Sequence, residues 1–136
     1  MKLSVVKIET LRCALRSSCP YILFAFADSS AGSLNGLKTL QLWVYIERSK
    51  SYLEAIGEIL DAFEQALPDT ECELVILNKV DARTRSASLS RTCLYIRENC
   101  EGIYWQYIER VGQERHAGHL HPKCWKLENR LIEDRN

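Results

Sequence analysis

The sequence predicts an α/β (α+β) fold, a mixed sheet of about three to four strands with helices packed on it. Three observations predict it. Residues 21–27 form an apolar run, a small-residue loop follows, and residues 39–47 then alternate apolar and mixed positions, which together read as strand, loop, strand. A helical stripe and a third apolar strand come next. The rest repeats helix, strand, helix, so the full order is helix, strand, strand, helix, strand, helix, strand, helix.

Residues 2–18 are the first helix. Ile8, Leu11 and Leu15 share a face and Val5 falls on the same stripe, while Leu3, Val5 and Val6 also fit the start of a strand. Pro20 closes the element, because the residue before a proline is pushed away from helical geometry. In the second strand Leu40, Leu42, Val44 and Ile46 fall on one face and Thr39, Gln41, Trp43 and Tyr45 on the other. The loop at 28–36 holds three Ser, two Gly, one Asn and one Asp, residues that accept turn conformations.

Ser49 is placed to cap the second helix, with Ser51 as its competitor. Leu53, Ile56, Leu60, Phe63 and Leu67 repeat at helical spacing, Glu54, Glu58, Asp61 and Glu64 fall largely elsewhere, and Pro68 ends the helix. The third strand, 71–77, has a continuous apolar run at 74–77, as in a strand buried on both faces. Residues 81–92 make a short helix of weak propensity. Residues 93–97 are a short strand. Residues 100–115 are a helix with Ile103, Tyr107, Ile108 and Val111 inward. Gly118 and Pro122 break regularity, and 124–136 is a short docked helix or a frayed tail. The expected division is a domain at 1–115 and a C-terminal extension at 116–136.

A chain of 136 residues can bury a real core in one domain. With 18 basic and 18 acidic residues the formal charge is zero, which argues against a nucleic-acid partner recruited by overall positive charge. Arg83, Arg85 and Arg91 could touch a phosphate backbone, but balanced charge favours a solvated face. No apolar run approaches the roughly 20 residues that span a bilayer. The N-terminal segment carries charges throughout, unlike a secretion signal, so a cytoplasmic location is expected and no membrane partner. Cys13, Cys19, Cys72, Cys93, Cys100 and Cys124 are then thiols, with Cys72 and Cys93 acting as small hydrophobes in strands.

The layout resembles the minimal nucleotidyltransferases of the polymerase-β-like nucleotidyltransferase superfamily. The resemblance runs over roughly residues 3–112 and is carried by Leu23-Phe24, by residues 40–44, by ECELVILN at 71–78, by Leu94-Tyr95 and by the tyrosines between Tyr104 and Tyr107. It implies a nucleotidyltransferase-like sheet and, in intact members, a Gly-Ser pair on the triphosphate and two aspartates holding paired magnesium ions. This chain has Ala25 and Phe26 in place of Gly-Ser, and Thr39 and Gln41 in place of the aspartates. Glu73 alone retains an acid at the third-strand position. Two neutral groups are poor substitutes for carboxylates around divalent cations. No catalytic residue, metal or cofactor is therefore expected.

Minimal nucleotidyltransferases often occur beside a helical HEPN ribonuclease in toxin–antitoxin modules. The resemblance implies a non-catalytic protein acting through a partner, either an antitoxin for a HEPN-type toxin or part of a homo-oligomer. Two alternatives stay open. One is an active enzyme with relocated acids at Asp28, Glu47 or Glu73, using Mg2+ and ATP. The other is a nucleotide sensor without turnover, for which Ser29, Ser30 and Ser33 are the candidate contacts. His116, His119, His121 and Cys124 are the one dense group of metal-ligand types in the sequence, but their spacing matches no standard zinc pattern. Trp43, Tyr45, Tyr104, Trp105 and Tyr107 form either an exposed interface patch or a layer between the sheet and the last long helix.

Overall fold

The computed structural model describes residues 5–29 and 38–118. Helix α1 (Val5–Ser18) leads into β1 (Ile22–Ser29), and β2 (Lys38–Ile46) precedes helix α2 (Tyr52–Ala66). Strand β3 (Thr70–Ile76) runs into a 3-10 turn at Leu77–Lys79. Helix α3 (Ala82–Ser88), strand β4 (Thr92–Ile96) and helix α4 (Glu101–Gly118) complete the order. The expected element order is therefore present among the described residues. The strands lie in the order β3-β2-β1-β4. Strand β1 is antiparallel to both β2 and β4, whereas β2 and β3 are parallel, joined through α2.

Alternation along β2 separates two cores. Leu40, Leu42, Val44 and Ile46 face α1 and α2, where they meet Leu11, Leu15, Ala55, Ile59, Ala62 and Phe63. Trp43 faces the other side with Phe24 and Phe26, under Tyr107 and Val111 of α4. Four of the five aromatics in question thus belong to the layer between sheet and α4, and Trp105 alone stands out at 63% exposed. Phe24 stacks on Tyr45 with centroids 5.0 Å apart and meets Tyr104 edge-on at 5.3 Å.

Several expectations are corrected. The helix α2 is capped at Ser51, not Ser49, and the Ser51 side chain makes no capping bond. Its buried stripe is Ala55, Ile59, Ala62 and Phe63, while Leu53 is 84% exposed and Ile56 and Leu60 also face outward. Small residues win because they let the helix axis approach the sheet and α1 closely. Val5 is exposed too, so the inward stripe of α1 starts at Ile8. Among the described residues strand β3 is an edge strand, with Glu71 and Glu73 exposed and its apolar residues only part-buried, because no described strand covers its outer side. Ile103 of α4 is exposed at 40%, and Tyr104 takes its inward place.

Local polar groups fix the ends of these elements. Asn78 donates to the Ile46 carbonyl (2.8 Å) and accepts from the Ile46 N–H (2.9 Å), closing the β2–β3 ladder with a side chain. Asp81 caps α3 by accepting from the Thr84 N–H at 2.8 Å, which holds its carboxyl below the usual range. Asn99, at φ 66°, supplies the left-handed turn from β4 into α4. Arg97 ties three segments together through the carbonyl of Pro20 (2.7 Å) and the carboxylate of Glu47. Five described cysteines are free thiols. Cys72 and Cys93 are part-buried, and burial pushes the Cys72 thiol up to about 12, in keeping with a hydrophobic role.

The two competing stripes on α2 give opposite forecasts. Ile59→Ala should lower unfolding free energy by about 2–5 kcal/mol, whereas Leu53→Ala should change it by no more than about 0.5 kcal/mol. Urea denaturation followed by circular dichroism reads both.

Candidate functional site

Register places the family-motif positions. Parallel pairing sets Thr39 opposite Glu71 and Gln41 opposite Glu73, and antiparallel pairing sets Asp28 opposite Gln41. Directly opposed residues share a face, so Asp28, Gln41 and Glu73 form one row across β1, β2 and β3 on the α3–α4 side. Thr39 and Glu71 form the next row outward. Phe26 lies on the same face, opposite Trp43, and is 2% exposed. Ala25 points the other way, into the core under α1 and α2.

The chemistry of this face follows from its partners. The Gln41 amide donates to the Glu73 carboxylate at 3.1 Å. The Thr39 hydroxyl and the Trp43 indole N–H are buried and have no hydrogen-bond partner among the described residues. Asp28 is engaged by Arg91 at 3.1 Å, and the Arg91 guanidinium sits 5.1 Å above the Trp43 ring. Arg91 and Arg85 are therefore not a solvated face. Arg85 pairs with Glu114 of α4 at 2.9 Å, and only Arg83 of the three is exposed and outside these pairs. Burial raises the phenols of Tyr107 and Tyr104 above their ordinary value, so both stay neutral as hydrogen-bonding members of the layer.

Strand β1 runs through Ser29, so Asp28 and Ser29 belong to it and not to the loop. Ser30 and Ser33 lie outside the described residues. His116 falls within α4, which carries that helix past the expected boundary at residue 115; His119, His121 and Cys124 lie outside the described residues. Glu47 is at the opposite end of β2, bonded to Arg97. Six residues separate it from Gln41, about 20 Å along a strand, which removes it from the site. Sequence reasoning missed Arg91 as the partner of Asp28. It also passed over Glu71, although the spacing of Glu71 and Glu73 in a strand puts both on one face.

Paired magnesium does not fit these residues. The positions expected to carry two carboxylates offer a buried hydroxyl and an amide already spent on Glu73, and Asp28 is neutralised by a tethered guanidinium. Among the described residues no group of three or more His, Cys, Asp and Glu side chains is placed to hold a metal ion. No helix among them is long and apolar enough to cross a membrane.

Comparison with known proteins gives a consistent picture of the architecture. No protein-family model and no curated protein matches the chain. Solved structures do match. The MntA–HepT toxin–antitoxin structure aligns at TM-score 0.60 over 96% of this chain and 97% of the other, at 12% identity. A toxin–antitoxin structure with AMP-PNP aligns at TM-score 0.59 over 93% and 96%, at 14% identity. The structure of a tri-AMPylated Shewanella oneidensis HEPN toxin in complex with MNT antitoxin aligns at TM-score 0.57 over 94% of each chain, at 14% identity.

The chain has the minimal nucleotidyltransferase fold. Within it, the likeness extends over nearly the whole length while the sequence has diverged, so the fold is shared and the chemistry has to be argued from this chain's own residues.

Arg91 links the charge of Asp28 to the ring of Trp43 on this sheet. Arg91→Ala should cost about 1 kcal/mol, the sum of a part-exposed ion pair and a cation–π contact. It should also alter tryptophan fluorescence, and the alteration should vanish in a Trp43→Phe background.

Proposed function

We propose that this protein is a non-catalytic nucleotidyltransferase-like protein that works by binding a protein partner, as an antitoxin-like partner of a HEPN ribonuclease toxin. The observation that carries the reading is the row Asp28, Gln41, Glu73 on a sheet of this fold, with neutral groups at Thr39 and Gln41 and Phe26 packed beneath α4. Transfer of a nucleotidyl group depends on stabilising charge that develops on phosphate oxygens. Here the cation-binding carboxylates are replaced and the remaining aspartate is paired with arginine. The reading calls for neither Mg2+ nor ATP. The solved complexes of the same fold, which pair an MNT antitoxin with a HEPN toxin, supply the class of partner.

Helix α2 offers a surface suited to that role. Leu53, Ile56 and Leu60 form an outward apolar stripe, and its four charged residues, Glu54, Glu58, Asp61 and Glu64, are all acidic. A groove of apolar floor and basic rim on the toxin would complement it.

Co-expression with a HEPN toxin encoded beside it tests the proposal. The pair should co-purify, and Leu53→Asp, at an exposed position, should weaken the complex at least about tenfold without lowering the melting temperature. Incubation with labelled ATP and Mg2+ should leave the toxin unlabelled. Transfer of label that Glu73→Ala abolishes would overturn the non-catalytic reading.

A further inference from the structure

A cleft of about 570 Å3 opens at the other end of the sheet, between the end of β2, the start of α2 and helices α3 and α4. It belongs neither to the row at Gln41 nor to the outer face of α2. Tyr45, which lines it, is four residues along β2 from Gln41, about 13 Å away. Its size is within the roughly 300–1,000 Å3 of small-molecule sites.

Its lining is cationic. Arg48, Arg85 and Arg110 come from three different segments and all line the cleft, and no carboxylate among the described residues lines it. One nearby acid, Glu114, serves two of them, at 2.9 Å from Arg85 and 3.3 Å from Arg110. Arg48 is exposed and makes no ion pair among the described residues. The Arg85 Nε is buried and has no partner among the described residues. Lys79 adds a further positive charge beside the cleft, 4.2 Å above the ring of Tyr52, which is another lining residue. Three guanidiniums against one carboxylate leave two positive charges unmatched in a chain whose formal charge is zero. Unmatched guanidiniums in a concave site focus the field on an anion.

We propose that this cleft binds a small phosphate-bearing anion. A phosphate monoester carries about −1.5 to −2 at neutral pH and three acceptor oxygens, which matches the charge excess and the number of guanidinium forks. A single carboxylate would supply one charge and two oxygens, leaving one arginine unmatched. Gln106, Tyr45 and Tyr52 line the same space and carry neutral donor groups. The inference does not depend on the partner-binding proposal, since it concerns different residues and a different ligand.

Calorimetric titration of the full-length protein without divalent cations tests it, with inorganic phosphate, pyrophosphate and AMP as separate probes. At least one should bind saturably. Preference for AMP would identify a nucleotide ligand, and preference for phosphate or pyrophosphate a simpler phosphate compound. Arg48→Ala and Arg110→Ala should each weaken binding at least about tenfold, the loss expected for one charge-assisted contact. Both positions are largely exposed, so melting temperatures should not move. Arg83→Ala, which removes the same charge from an exposed site outside the cleft, should leave affinity unchanged. Equal weakening by Arg83→Ala, absence of binding by all three probes, or binding of an acidic peptide in their place would overturn the proposal.

Discussion

Enclosure of the Phe24 ring is the constraint on which the rest depends. It is fully buried, stacked on Tyr45, and tilted at 5.1 Å to Tyr107. Burying such a side chain contributes about 1.5–3 kcal/mol, and each favourable ring pair adds roughly 0.5–1.5 kcal/mol. The contact also sets register. A one-residue slip between β1 and β2 would turn Phe24 and Phe26 into the opposite core, against α1 and α2, and Ala25 into the aromatic layer. With Phe24 opposite Tyr45, every later pair follows: Phe26 on Trp43, then Asp28 on Gln41.

That register carries the packing of the core into the chemistry of the sheet's far end. The aromatic layer fills the α4 side of β1 as far as Phe26, and the next residue on that face is Asp28. There the sheet exchanges apolar contacts for an ion pair with Arg91, which lies over Trp43. The Arg91 guanidinium engages the Asp28 carboxylate, which would otherwise attract a mobile cation. It is held by the turn after α3, whose own position depends on Tyr107 meeting Ser88 at 2.8 Å. Core, helix docking and site electrostatics are thus linked through one layer. An exposed apolar stripe lies on the opposite side of the sheet, on α2.

Much of this was legible in the sequence, for identifiable reasons. Strand β2 is buried on both faces yet patterned with period two, so its alternation marked the two faces, while Thr39 and Gln41 were marked as motif positions by the family resemblance alone. Strand β1 is central and reads as an unbroken apolar run. Helix α2 was misread because two stripes of helical spacing run side by side and share Phe63. Hydrophobic weight favours Leu53, Ile56 and Leu60, but close packing favours Ala55 and Ala62, and a pattern of residue types does not register how near two backbones approach. The pairing of β3 at an edge was equally hidden, since a run such as Leu74-Val75-Ile76 suits a central strand as well. Asp28 and Arg91 meet because the antiparallel pairing of β1 with β4 sets Ala27 opposite Thr92, a contact between residues far apart in sequence. The arginine cleft is of the same kind: Arg48, Arg85 and Arg110 belong to three segments and signal nothing separately.

The proposed non-catalytic role requires that the row at Asp28, Gln41 and Glu73 not support paired-metal chemistry. Titration with Mn2+ read by electron paramagnetic resonance, in the presence and absence of a non-hydrolysable nucleotide, tests it most directly. The wild-type chain should show no saturable Mn2+ binding at micromolar concentration, and binding should be gained when Thr39→Asp and Gln41→Asp are combined with Arg91→Ala. Tight, nucleotide-dependent binding of a pair of Mn2+ ions to the wild-type protein would contradict it.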